Sequence, residues 1–144
     1  MIPALAGAAR SRLLPLSVPF RYFGAAVLFH IVAWAVLVAS ADELTTFSGG
    51  LGPVFAALHL TTLGVLVMTA IGATLQLLPV ATRQPVRSVG AAKLIWWLLT
   101  PGVALFAAGA GFHAPRWMGP GALLVIAALA LYGWLLAENL RRAR

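Results

Sequence analysis

Three histidines, His30, His59 and His113, are the side chains of this sequence best suited to holding a metal in apolar surroundings. His30 and His59 lie within long apolar runs, where an ionisable group is costly and marks a functional position by default. His113 lies at the end of a third run. A neutral imidazole offers one lone pair, which suits axial ligation of haem iron or binding of copper. Asp42, Glu43 and Glu138 all fall near the ends of apolar runs, so a proton or cation pump built on buried carboxylates is not expected. The chain has no cysteine, which excludes disulfides, zinc–thiolate sites, iron–sulfur clusters and covalent c-type haem attachment. No nucleophile–base pair, phosphate loop or carboxylate pair is recognisable, which points away from an enzyme.

Composition dictates the elements that position these residues. The 144 residues are 62% hydrophobic and 9% charged, with mean hydropathy +0.97. A soluble domain has roughly 45–50% apolar and about 25% charged residues, so this chain is written for lipid. A hydrocarbon core of ~30 Å needs about 20 apolar residues per helix. Four runs qualify, at about 20–41, 51–80, 89–112 and 117–140. They are continuous rather than alternating, so the expected fold is an all-α integral membrane four-helix bundle in one domain. An N-terminal arm at 1–19, with Pro3, Pro15 and Pro19, precedes it, and a basic tail at 141–144 follows. Pro79 is expected to close the second run and Pro101 to kink the third. Gly119-Pro120-Gly121 predicts a late or irregular start to the fourth.

The net charge of +7 is read as a topology signal rather than a nucleic-acid footprint, because the cations sit between apolar runs. Arg10, Arg12, Arg21, Arg83, Arg87, Lys93, Arg141, Arg142 and Arg144 fall on one side; Arg116 alone falls on the other, with Asp42 and Glu43. Both termini are therefore expected in the cytoplasm, and a bacterial inner membrane is the expected location. Trp96, Trp97 and Trp134 would line one interface and Trp117 the other. The N-terminal arginines, the apolar stretch and Ala39-Ser40-Ala41 also resemble a cleavable signal peptide. The long leading segment and the presence of His30 and Trp34 weigh against that.

At 100° per residue, His59, Thr62, Thr69 and Gln76 share an arc of about 100° on the second helix, a polar stripe expected to face the interior. Interhelical hydrogen bonding is the simpler role for the Thr and Gln residues. His30 lies eleven residues before Ala41 and His59 eight after Leu51, which predicts depths of ~16 Å and ~12 Å from the same membrane face. Helices in contact sit about 8–10 Å apart, which leaves little room for a porphyrin. His30 and His59 would have to face each other across a splayed bundle, or each would need another partner.

The second run contains His59-Leu-Thr-Thr-Leu-Gly64 and then Gly72-Ala-Thr-Leu-Gln76-Leu-Leu-Pro79-Val80, and Pro19-Phe20-Arg21-Tyr22-Phe23 opens the first. Over residues 19–80 this resembles the haem–copper oxidase subunit I superfamily and its shorter, NnrS-like relatives. The resemblance implies that His59 is an axial ligand of a low-spin haem b. The copper-site histidine pair of that superfamily is missing, so oxygen reduction is not implied. A second axial ligand would come from His30, His113, another subunit or a second copy of the chain.

The expectation is a small membrane b-type haem protein for electron transfer or haem and gas-ligand binding, linked to respiration or denitrification. In that reading Thr62, Thr69 and Gln76 flank the cofactor. The alternative is a subunit or assembly factor of a respiratory complex without its own cofactor, packed through small residues such as Gly64, Gly72, Ala104, Ala108, Gly109 and Gly111. A copper protein using His30, His59 and His113 is the third possibility.

Overall fold

A computed structural model describes residues 14–143 of the chain; the expected N-terminal arm, as far as residue 13, lies outside the described residues. The described residues contain helices and no strand. Helix α1 spans Ser17–Ala39. A single turn, α2, spans Ala41–Leu44. Helix α3 runs Pro53–Thr82, α4 Val89–Gly111 and α5 Pro115–Ala143. The four long helices are each long and apolar enough to cross a membrane.

The helix boundaries differ from those expected at several prolines. Helix α1 starts at Ser17 rather than 20, with Pro19 in its first turn, where a missing N–H costs nothing. Helix α5 starts at Pro115, a favoured first helical position, and runs straight through Gly119-Pro120-Gly121. Pro79 lies inside α3, which continues to Thr82 and ends where Arg83 turns left-handed at φ 55°. Pro101 likewise sits inside a continuous α4; the Trp97 carbonyl loses its helical partner there.

Helix α3 is not uniform. Leu60–Val67 is wound as a π-helix, with i→i+5 bonding, between two α-helical stretches. Gly64 lies in that wide segment, and a Cβ there would sit 2.7 Å from the Phe29 ring. The wide turns and the bare glycine together admit Phe29 of α1 against the α3 backbone. Eight residues further along α3, about two turns, Gly72 receives Tyr22 and Phe23 in the same manner.

Helix α1 packs along α3, α4 packs most extensively on α5, and α3 meets α5 chiefly through its second half. The core joining them is apolar, with Tyr22, Met68, Ile71, Leu75, Ile95, Leu99 and Leu135 fully buried. The side-chain hydrogen bonds that link distant segments gather at the end of the structure carrying Arg21, Arg83, Arg87, Lys93, Arg141 and Arg142. Tyr22 Oη donates to the Ala92 carbonyl at 2.6 Å, and Trp96 Nε1 donates to the Arg21 carbonyl at 3.0 Å. Asn139, fully buried, donates through Nδ2 to Thr82 Oγ1 at 3.1 Å. Arg142 donates to the Pro85 carbonyl at 2.8 Å and to Asn139 Oδ1 at 3.2 Å. Arg87 pairs with Glu138 and stacks over Trp134.

The Tyr22 bond gives a direct test. Tyr22→Phe keeps the ring and its packing but deletes the hydroxyl that ties α1 to α4. Hydrogen bonds between membrane helices are worth about 0.6 kcal/mol on average and up to ~1.7, so a loss of roughly 0.5–1.5 kcal/mol is expected in denaturant unfolding in detergent.

Candidate functional site

His59 closes the first α-helical stretch of α3, and the wide segment begins at the next residue. Its ring is half-buried. Nδ1 lies 2.9 Å from the carbonyl oxygen of Phe55, one turn earlier. A carbonyl only accepts, so Nδ1 carries the hydrogen, and in the neutral ring the lone pair resides on Nε2. The Phe55 ring lies 4.1 Å from the imidazole, centroid to centroid, and the Phe106 ring of α4 lies 5.0 Å from it. His59 is thus held in one tautomer and one orientation by a backbone bond and two aromatic neighbours.

The other residues singled out from sequence do not gather around it. His30 is exposed on α1, and its Nε2 accepts from Trp34 Nε1 at 3.1 Å, one turn along the same helix. Depth alone suggested that His30 and His59 face each other. Each lies in the half of its helix away from the basic end, yet they lie on different faces. His59 packs against Phe106, which lies nearly opposite Ala104, Ala108 and Gly111 on α4 at 100° per residue. Those three line the cleft that α4 shares with α1. His30 therefore belongs to the α1 side of the structure and His59 to the far side of the α3–α4 contact.

His113 has a local explanation. It ends α4 in the left-handed region, φ 52°. Its N–H bonds the Ala110 carbonyl at 3.4 Å, and the Ala114 N–H bonds the Gly109 carbonyl at 2.8 Å. This is the Schellman closure of a helix end, at the position glycine usually takes. Among the described residues no group of three or more His, Asp or Glu side chains is placed to hold a metal ion.

The polar stripe is also corrected. Thr62 and Thr69 are exposed rather than interior, and Gln76 is half-buried. Thr62 Oγ1 turns back on its own helix, donating to the Leu58 carbonyl at 2.9 Å. The cause is the π-helical segment: each residue there advances by less than 100°, so positions beyond it rotate out of the arc extrapolated from His59. Gln76 Oε1 is buried without a hydrogen-bond partner, as is Thr100 Oγ1.

No family model, curated protein or solved structure matches the chain.

Phe55 was within reach of sequence reasoning, since it lies four residues before His59 and hence on the same helix face. Phe106 was not, because nothing in α4 announces which of its residues meets the start of α3. For a haem iron, the structure offers a single well-oriented nitrogen, His59 Nε2, in apolar and aromatic surroundings.

Proposed function

We propose that this chain is a multi-pass protein of a bacterial inner membrane, with its basic end cytoplasmic, in which His59 serves as one axial ligand of a b-type haem. The observation that carries the proposal is the hydrogen bond from His59 Nδ1 to the Phe55 carbonyl. Ligating histidines are typically fixed through their second nitrogen in this way, which sets the tautomer and raises the basicity of the ligating one. Phe55 and Phe106 give the ring a dry, aromatic setting that limits solvent access. When bound, the haem would supply one-electron transfer or binding of a diatomic gas.

The opposite ligand then comes from a second chain. His30 and His113 are held on other surfaces, whereas the first half of α3, which carries His59, has no extensive α5 contact. A homodimer pairing two His59 side chains meets the requirement, as does a partner within a respiratory or denitrification complex. Thr62 and Thr69, exposed on the same helix, would then lie near that interface. Copper held jointly by His30, His59 and His113 is not favoured, since the three do not converge.

A second reading is a membrane subunit without a cofactor, in which the enclosed His59 ring is a packing residue. The aromatic contacts of His59 favour it, and so do the small residues at helix crossings. One spectrum separates the two. Protein purified from haem-replete cells is expected to show a Soret band and the sharp visible bands of low-spin haem b. A pure preparation with no Soret band would leave only the second reading.

A further inference from the structure

Helices α1, α3 and α4 line an apolar cleft of about 530 Å³, and His59 is not among its lining residues. Val32 and Val36 of α1, Ala56 and Leu60 of α3, and Ala104 and Ala108 of α4 form its walls. The hydrogen bonds of Tyr22 and Trp96 tie α1 to α4 at the basic end, and the cleft lies between the other halves of these helices. Leu28 and Phe112, at its edges, are 60% and 76% exposed, so it opens sideways to the surroundings of the helices.

From Leu28 to Ser40 the cleft follows twelve residues of α1, or ~18 Å along the axis. That is close to half of the ~30 Å hydrocarbon thickness of a bilayer, the depth of one leaflet. Ser40, at the end nearest the helix termini, is the one polar side chain among the lining residues. It is 7% exposed, and its backbone N–H is already used by the Val36 and Leu37 carbonyls, so only its hydroxyl is left for a ligand. Water does not fill such a space, since an ordered water needs two to four polar partners. A cleft this narrow and this apolar suits a single flexible aliphatic chain.

We propose that the cleft binds one phospholipid from the leaflet opposite the basic end. One acyl chain lies between α1 and α4, and its ester carbonyl accepts a hydrogen bond from Ser40 Oγ. An aliphatic chain ending in a carbonyl is the chemistry the site selects. The phospholipid is favoured over a free fatty acid because its ester lies just below the headgroup, at the depth of Ser40, and needs no buried charge.

The test is photolabelling in nanodiscs with a phosphatidylethanolamine carrying a diazirine on one acyl chain, followed by peptide mapping. Label is expected to concentrate on the α1 segment around Val32 and Val36 and the α4 segment around Ala104 and Ala108. Ala108→Phe, which fills the cleft, is expected to abolish that labelling while circular dichroism and thermal unfolding stay near wild type. Ser40→Ala is expected to lower it about fivefold, the loss of one hydrogen bond. Wild-type mapping decides the matter even if Ala108→Phe does not fold. Even labelling over the exposed faces of all helices would overturn the proposal. So would preferential labelling of the cleft by a diazirine fatty acid in competition with the phospholipid.

Discussion

Replacing His59 by alanine is expected to strip the protein of haem. Mutations in the outer groups that merely orient a ligand cost about 10–100-fold in metal affinity, and removing the ligand itself should cost at least as much. Haem content per mole of purified His59→Ala is therefore expected to fall by about tenfold or more, read by pyridine haemochrome. The controls follow from the geometry. His30→Ala and His113→Ala should keep the full spectrum, because one is tied to Trp34 and the other occupies a helix-ending turn. Free imidazole should restore part of the Soret band to His59→Ala, since the truncation leaves room for it beside Phe55 and Phe106. A His59→Ala protein with an unchanged spectrum would remove this residue from the site.

The largest stability effect is expected at Gly121, where α5 crosses α4. A Cβ at this position would lie 2.5 Å from the Phe106 nitrogen and 2.9 Å from the Gly102 carbonyl oxygen. Both are backbone atoms, which cannot swing aside, so the helices must separate. The contact is mutual: a Cβ on Gly102 would lie 3.0 Å from the Val125 nitrogen. Overpacking costs about 1–3 kcal/mol and occasionally more, against ~1 kcal/mol gained by alanine over glycine in a helix. Gly121→Ala is thus expected to lower stability by up to ~2 kcal/mol net, and Gly121→Leu to prevent α4–α5 packing. Gly133, on the same helix, has nothing within 4 Å of its missing Cβ. Gly133→Ala is therefore expected to be neutral or stabilising. Thermal unfolding in one detergent compares the two, and equal effects would show that the crossing is not as tight as described.

The helices were legible because lipid leaves the backbone few choices. Four apolar runs without mid-run charge point to four long helices, and they are found within a few residues of the expected places. The errors fall on proline. The sequence places Pro19 in the arm before the first helix and Pro79 at the close of the second, whereas each sits inside a helix. Depth was also legible, since it needs only a count of residues at 1.5 Å each. Direction around the axis was not. His30 and His59 share a depth range but not a face, and which face meets which neighbour is set by packing at Gly64, Gly72 and Gly121. The π-helical turns at Leu60–Val67 carry no breaking residue beyond Gly64, so the rotation that sends Thr69 outward leaves no mark in the sequence.

The uneven placement of cross-links also has a mechanical consequence. Tyr22, Trp96, Asn139 and Arg142 rivet one extremity of the molecule, while among the described residues no side-chain hydrogen bond joins distant segments at the opposite extremity. Such an object flexes like a clothes-peg. The jaws are the far tips of α1 and α4, the latter carried on an arm of ~22 Å from Trp96 to Gly111. A slight rocking at the rivets becomes a wide excursion at the tips, and the Ala41–Leu44 turn rides on one of them. Amide exchange should accordingly quicken from the riveted extremity toward the tips, in a gradient that follows distance rather than residue type.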